Sequence, residues 1–253
     1  MHVLLTGAAG GIGAALARAF DREGVGRFGL CDIATDAAGA LAKDIRAPSV
    51  VLGWDLAQPG TLDEAWAGYV AEHGPVDLLI NCAGVMDVRT FAATPWADGA
   101  RLLDVDLVSP LRLMALALPS MVARGRGGVI NISSMAGITP LRGCAYYCAA
   151  KAGLGFASEI ARLELAPRHV KVLTVYPGPV ATPLERRARA QLDTSLIARL
   201  MPTGDAETLA DRVVTAWRRD EARVVYPPLY DLASRVPALA GLITRRLSPA
   251  PRA

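Results

Sequence analysis

The chain is poor in the features that mark several protein classes. Four cysteines, Cys31, Cys82, Cys144 and Cys148, and three histidines are spread over 253 residues. They form no Cys-x-x-Cys pair and no histidine-rich ligand set, so no metal site is expected. Cys31 and Cys82 fall in apolar, strand-like runs and read as small core residues. Cys144 and Cys148 have helical spacing, and a redox role for them would need a specific environment. The net charge of +3 is too small to point to nucleic acid. No segment holds the roughly eighteen uninterrupted apolar residues of a membrane span; the most apolar helix, near Leu107 to Met121, is interrupted by Arg112 and Pro119. Strand-like residues begin at His2, which leaves no room for a secretory leader, so a cytoplasmic protein is expected. Against these absences, hydrophobic residues make up 52% of the chain, which excludes disorder and suits one large α/β domain with a well-buried core.

The stretch from Ser133 to Lys151 concentrates reactive groups. An apolar run, Gly128 to Ile132, reads as a buried strand, and the Ala-rich segment around Lys151 reads as a helix. Tyr147 and Lys151 are four apart and share one helix face. A phenol beside an ammonium deprotonates more easily, because the positive charge favours phenolate. Ser134 falls at the strand end, where α/β sheets present ligands, and its hydroxyl can hold a substrate oxygen against the phenol. This is equipment for moving a proton on or off an alcohol oxygen. Taken singly, a Tyr–Lys pair at this spacing is ordinary on helices, and a serine at a strand end is usually a turn or cap residue.

The first half alternates strands and helices, the pattern of βαβ crossovers and a parallel sheet. Val3-Leu4-Leu5 is a short strand. Thr6-Gly7-Ala8-Ala9-Gly10-Gly11-Ile12-Gly13 then leads into a helical pattern from Ala14 to Glu23. Such a turn lets backbone approach a pyrophosphate, with the helix N-terminus facing it. A second strand, Arg27 to Cys31, ends at Asp32, nineteen residues past Gly13. That spacing suits a carboxylate accepting from the adenosine ribose hydroxyls. It would repel a 2′-phosphate, and Ala8, Ala9, Ile33 and Ala34 supply no compensating cation, so NAD is favoured over NADP. Asp32 read alone is also a candidate helix cap. Val50 to Trp54 is a third strand, followed by Asp55-Leu56. Asp55 can reach an adenine edge or cap the helix that begins near Thr61. Val76 to Ile80 is a fourth, followed by Asn81-Cys82-Ala83-Gly84.

In this combination the chain resembles the classical short-chain dehydrogenase/reductase family over roughly residues 1–226. The resemblance rests on Thr6-Gly7-x-x-x-Gly11-x-Gly13, Asp55, Asn81-x-Ala83-Gly84, Ser134, Tyr147-x-x-x-Lys151, and Pro177-Gly178 with Thr182. Ser134 stands thirteen residues before Tyr147, which selects it over Ser133 and selects Tyr147 over Tyr146. The resemblance implies a single doubly wound Rossmann-type domain with a mostly parallel seven-stranded sheet. It implies NAD(P)-dependent interconversion of a secondary alcohol and a ketone. Tyr147 would be the general acid/base, Lys151 would lower its pKa and hold the nicotinamide ribose, and Ser134 would position the substrate oxygen. The cofactor would be held by Gly7, Ala9, Gly11, Ile12, Gly13, Asp32, Asp55, Leu56, Asn81, Ala83, Gly84, Tyr147, Lys151, Pro177, Gly178, Val180 and Thr182.

Two positions depart from the family pattern. Cys82 stands where a second asparagine is usual, a structural position. Asp106 stands where the family has the asparagine that holds a helix kink and a water linked to the lysine. Aspartate keeps an acceptor, loses the amide donor and adds a carboxylate near Lys151. If the kink and the water survive through the main-chain carbonyl, activity is retained, and an ionised Asp106 favours charged Lys151 and opposes phenolate at Tyr147.

The second half contains a helix through Glu164, a sixth strand Val170 to Tyr176, a helix Asp205 to Arg219 and a last strand Arg223 to Tyr226. The long apolar helix from Trp96 to Ala123 and the helix after Lys151 are the family's oligomer helices, so a homodimer or homotetramer is expected. Residues 183 to 204 are in the family the mobile lid over substrate; Leu184, Leu192, Leu196, Ile197, Leu200 and Met201 could line an apolar pocket. Arg186, Arg187 and Arg189 read as a solvated face. The tail, 227–253, carries Tyr230, Leu232, Val236, Leu239, Leu242, Ile243 and Leu247 among arginines. It reads as a segment folded over the pocket rather than as a membrane contact, because Pro237 and Pro249 break it. A steroid- or lipid-like small-molecule substrate follows from lid and tail. An NADPH-dependent 3-oxoacyl or carbonyl reductase shares the fold and triad, and a non-catalytic dinucleotide sensor is the reading from another class. An extended-branch epimerase needs a larger C-terminal domain.

Overall fold

The computed structural model describes residues 1–192, 202–231 and Pro251. Seven strands form one sheet: β1 His2–Thr6, β2 Arg27–Cys31, β3 Ser49–Leu52, β4 Leu78–Asn81, β5 Gly128–Ile132, β6 Lys171–Pro177 and β7 Arg223–Tyr226. Their spatial order is β3-β2-β1-β4-β5-β6-β7, and every pairing is parallel. The strand order reverses at β1, which has β2 on one side and β4 on the other. That is the switch point where open α/β sheets bind ligands.

Alternation along the strands builds two cores. Val3 and Leu5 face one side with Leu78, Ile80, Ile130 and Ile132; Leu4, Leu79 and Val129 face the other. The first side is covered by α1 (Gly11–Arg22), α2 (Thr35–Asp44) and α8 (Ala206–Arg218), with Leu16, Phe20, Leu41 and Val213 buried. The second side is covered by α3 (Leu62–His73) and α5 (Ser109–Arg124), through Trp66, Tyr69, Leu113, Ala117 and Met121. α4 (Trp96–Leu103) precedes α5, and α6 (Ala145–Leu165) follows β5.

A row of polar residues crosses the sheet near its C-terminal edge. The register places Thr6 opposite Asn81, Asn81 opposite Asn131, and Asn131 opposite Thr174, all almost fully buried. Buried polar groups must find partners. Asn81 Nδ2 donates to Asn131 Oδ1 (2.8 Å) and Pro110 O (3.3 Å), and Asn131 Nδ2 donates to Ser158 Oγ (2.7 Å) on α6. Thr6 Oγ1 accepts the Cys82 and Ala83 N–H groups (3.0 and 3.2 Å). These bonds tie the switch point to α5 and α6.

Several boundaries differ from expectation. α1 starts at Gly11, so the end of the glycine-rich turn is already helix. β3 stops at Leu52, and Gly53 and Trp54 leave the sheet. Pro119 does not break its helix: it lies on the exposed side while Ala117 and Met121 hold α5 to the sheet. From Trp96 to Arg124 the chain is helical over 29 residues, with a mean hydropathy of 1.5 in its most apolar window, long and apolar enough to cross a bilayer. Its apolar inner face is accounted for by the core: Leu113 and Met121 are fully buried against the sheet. Asp104–Val108 within it is a single π-helical segment, the place where a kink was expected.

Past β7, Tyr230 returns to the sheet edge, where its ring covers Gly178; an added Cβ at Gly178 would meet it at 2.9 Å. Pro251 lies against Gly143 and pairs with Leu192. Lid residues 193–201, including Leu196, Ile197, Leu200 and Met201, lie outside the described residues. So do tail residues 232–250 and 252–253, including Leu232, Val236, Leu239, Leu242, Ile243 and Leu247.

Leu113→Ala should leave a cavity between α5 and the sheet and lower unfolding stability by about 2–5 kcal/mol, measured by urea denaturation.

Candidate active site

The turn after β1 is shaped by glycines with no room for a side chain. Gly7 has φ +68°, and a Cβ there would lie 2.6 Å from Ala83 Cα. A Cβ on Gly13 would lie 2.0 Å from Gly7 O, and one on Gly11 would lie 2.8 Å from Thr182 Cγ2. The first turn of α1 has no acidic residue and its Gly10 cap makes no side-chain bond, so its N–H groups and positive dipole end remain for an anion. Ile12 is partly exposed at that end. Asp32, at the end of β2, accepts Ala9 N–H on Oδ2 and Ala34 N–H on Oδ1, both at 2.9 Å. Its carboxylate is thereby held beside the turn. A glycine cradle, an uncapped helix N-terminus and an oriented carboxylate fit a dinucleotide.

Other positions around this edge are divided between backbone and side chain. Asp55 is exposed and accepts Ala57 N–H (2.9 Å). Leu56 has its side chain in the core, and its carbonyl accepts from Ser109 Oγ (2.6 Å). Asn81 likewise turns its side chain into the polar row, leaving the backbone of Ala83 and Gly84 to face the switch point. Pro177 ends β6, Gly178 N–H donates to Tyr226 O (2.7 Å), and Val180 is buried. Thr182 caps α7 (Pro183–Ala190), accepting Glu185 N–H (3.2 Å).

The reactive groups meet at the end of β5. Ser134 Oγ accepts Ala136 N–H (3.1 Å) and donates to Pro177 O (3.4 Å), and it stands near enough to the Tyr147 phenol to favour its ionised form. Ser133 turns the other way and donates to Lys151 O (2.7 Å). Tyr146 stacks on Phe91 (5.3 Å between centroids) above Gly99, away from this cluster. Lys151 Nζ lies 5.8 Å from the Tyr147 ring centroid and donates to Ile132 O (3.2 Å). Its remaining close partner is Asp106, reached from the π-helical segment: Nζ to Oδ2 is 3.1 Å, with both side chains buried. Asp106 Oδ1 accepts Val85 N–H (2.8 Å). Gly84 lies over this pair; a Cβ there would be 3.1 Å from Asp106 Oδ2 and 3.3 Å from Lys151 Nζ.

Burial pushes the Tyr147 phenol above its ordinary value; Lys151 and the nearby Ser134 hydroxyl pull it down, and the Asp106 charge pushes it up. The net direction is upward, the reverse of what a phenol beside an ammonium alone would show, because burial and Asp106 outweigh Lys151. Burial works against the Lys151 ammonium, but Asp106 and Tyr147 hold its value above the ordinary one. Burial raises Asp106, against the pull of Lys151 and Val85 N–H. Burial also pushes the thiols of Cys82 and Cys144 up to about 12, so neither is a thiolate at neutral pH.

Beside the phenol, Val88, Cys144 and Ala188 are buried together, with Met86, Leu141, Cys148 and Leu192 packed around them. A charged rim adjoins it, where Arg89 pairs with Asp87 and with Asp98 (2.6 Å). On α7, Arg186 and Arg187 are exposed and Arg189 pairs with Glu185 (2.5 Å). Among the described residues, no group of three or more His, Cys, Asp or Glu side chains could hold a metal ion. Sequence patterns did not single out Val85 N–H or Ile132 O, because backbone groups leave no residue signature. Ser158 and Asn131 escaped for a different reason: their roles come from strand register.

The fold and the cluster define an α/β enzyme that binds a dinucleotide at its switch point and handles a proton beside it. Residues 1–193 match the short chain dehydrogenase family, and the chain belongs to that family of NAD(P)-dependent oxidoreductases acting on CH–OH groups. It is 32% identical over 184 residues to a 2,5-dichloro-2,5-cyclohexadiene-1,4-diol dehydrogenase of Sphingobium indicum, covering 72% of this chain and 73% of that one. It is 30% identical to a D-threitol dehydrogenase of Mycolicibacterium smegmatis, covering 79% and 78%. The solved structure of a short-chain dehydrogenase from Sphingobium yanoikuyae in complex with NADPH superposes with a TM-score of 0.81 at 29% identity, covering 100% of this chain and 96% of that one.

Gly13→Ala should weaken dinucleotide binding by about tenfold or more, roughly 1.4 kcal/mol, because the added methyl group forces Gly7 O out of the turn. Fluorescence titration with NADH measures it.

Proposed function

We propose that this protein interconverts a secondary alcohol and a ketone with NAD, on an apolar substrate, and that Ser134, Tyr147 and Lys151 carry the chemistry. The observation that carries the reading is the Tyr147 phenol, beside Ser134, backed by Lys151 and opening beside the apolar cluster around Val88, Cys144 and Leu192. Ser134 Oγ and Tyr147 Oη together grip the substrate oxygen. In oxidation the phenolate takes the alcohol proton; in reduction the phenol returns it. Lys151 stabilises the phenolate by its charge and would hold a ribose hydroxyl of the bound cofactor. The bound nicotinamide supplies the hydride acceptor or donor. The backbone of Pro177, Gly178 and Val180, with the Thr182 hydroxyl, would line it.

Support for NAD comes from Asp32. Its carboxylate is held beside the glycine turn, where it would repel a 2′-phosphate, and Ala8, Ala9, Ile33 and Ala34 offer no cation to offset the repulsion. The Sphingobium yanoikuyae structure holds NADPH, so the preference rests on this carboxylate rather than on the fold. The apolar cluster supports an apolar substrate. The relatives' names, a chlorinated ring diol and D-threitol, favour neither polarity.

The same reading extends to assembly and compartment. Phe156, Ile160 and Leu163 are exposed along one face of α6, with exposed Val108 at the head of α5. A stripe of this kind supports a homo-oligomer that covers it. Residues 1–226 form the catalytic domain in this reading, and 227–253 is a tail over the pocket rather than a membrane contact. Four unbridged cysteines suit a reducing, cytoplasmic compartment.

NADH should bind more tightly than NADPH, and Asp32→Ala should narrow or reverse the preference, as read by parallel titrations. Tighter NADPH binding by the parent protein would favour the carbonyl-reductase reading instead. Tyr147→Phe should lose turnover by about 10²-fold or more while keeping its affinity for the cofactor. That split separates an enzyme from a dinucleotide sensor. Leu163→Glu should shift the protein toward monomer in light scattering; an unchanged mass would argue against the α6 interface.

A further inference from the structure

We propose that Asp106 is a positioning residue of the proton-transfer site: its carboxylate clamps Lys151 by a direct buried ion pair, and its charge moves the pH range of alcohol oxidation to the alkaline side. The proposal rests on the oxidoreductase reading above for its second half only. The clamp itself stands on geometry.

Lys151 Nζ carries three protons. One goes to Ile132 O (3.2 Å), and the ammonium lies 3.1 Å from Asp106 Oδ2 as an ion pair. The pair is closed off from water: Asp106 is 0% exposed and Lys151 4%. Three local features hold the carboxylate in place. The π-helical segment Asp104–Val108 carries Asp106 inward, Val85 N–H binds its other oxygen, and Gly84 carries no side chain that would crowd the pair.

The charged and titratable groups facing the pair are few. From α6 come Tyr147, Lys151 and, further out, Cys144; from the end of β4 comes Cys82; from the end of β2, Asp32 acts on Cys82. Cys82 and Cys144 are neutral at neutral pH, so the balance at the phenol is set by one cation and one carboxylate. With Asp106 ionised, its charge offsets part of the Lys151 pull at Tyr147, so the ammonium favours phenolate less than it would alone. Oxidation needs phenolate, so its rate should rise only at higher pH. Removing the carboxylate charge should bring that rise to lower pH.

The test uses a convenience of composition: the chain has three lysines, Lys43, Lys151 and Lys171. Their ε-methylene signals can be followed by 13C-lysine NMR in the cofactor-free protein. Lys151 should titrate well above the exposed Lys43 in the parent, and at or below it in Asp106→Asn. The rising limb of the oxidation rate should move down by about 1 pH unit in Asp106→Asn. A Lys151 that titrates together with Lys43 in the parent overturns the clamp, and this result does not require the variant to fold. A pH–rate profile of Asp106→Asn that overlays the parent overturns the control of Tyr147. Both differ from failure of the function itself, which would show as normal turnover by Tyr147→Phe.

Discussion

The site depends on a buried polar row across the sheet: hydrogen bonds run from Asn81 through Asn131 to Ser158, and Thr6, opposite Asn81, binds the chain just past β4. Each member lies near the C-terminal end of a strand, or on the helix packed behind it. Each is desolvated, so leaving one unpaired would cost about 1–3 kcal/mol. Because Thr6 Oγ1 also accepts the Cys82 and Ala83 N–H groups, the row sets the height at which β4 leaves the sheet. Ala83 is thereby pressed against Gly7, and Gly84 over the Lys151–Asp106 pair. The cofactor cradle and the proton-handling groups, far apart in sequence, are thus fixed relative to one another by polar contacts that touch neither ligand.

Helix α6 then couples the two halves of the chemistry. Ser158 ties it to Asn131, Ser133 Oγ binds Lys151 O, and Lys151 Nζ reaches back to Ile132 O. Tyr147 stands one turn earlier, beside the apolar cluster. The same helix presents Phe156, Ile160 and Leu163 outward. One element therefore holds the reactive phenol and the buried ammonium on one face and an exposed apolar stripe on another.

The buried ion pair changes the electrostatics that the motif alone suggests. A tyrosine four residues before a lysine reads as an activated phenol. In the folded protein the lysine is shared with a carboxylate on another helix, and burial disfavours phenolate further. The thiols that flank the site follow the same rule: desolvation raises Cys82 and Cys144, and no cation close enough reverses it. Charge balance in so dry a space is decided by which single groups enter it.

Much of this protein was legible in the residues. Strand positions followed from short apolar runs: β2, β5 and β7 fall where the runs predict, and β5, buried along its whole length, tolerates little else. The glycine turn was legible too, since Gly7 and Gly13 occupy positions that exclude any side chain. Spacing placed Ser134, Tyr147 and Lys151 at one strand end and on one helix face. Other features were decided only by the tertiary structure. The direction of the shift at Tyr147 depends on burial and on Asp106, forty-one residues away in sequence. Asn81 and Leu56 turn their side chains inward through register and packing, although their neighbours line the site. Pro119 stays helical because α5 is held to the sheet on either side of it. Local patterns settle which backbone shapes and helix faces are available; desolvation and long-range charge depend on which segments finally share a space, and that is a property of the fold.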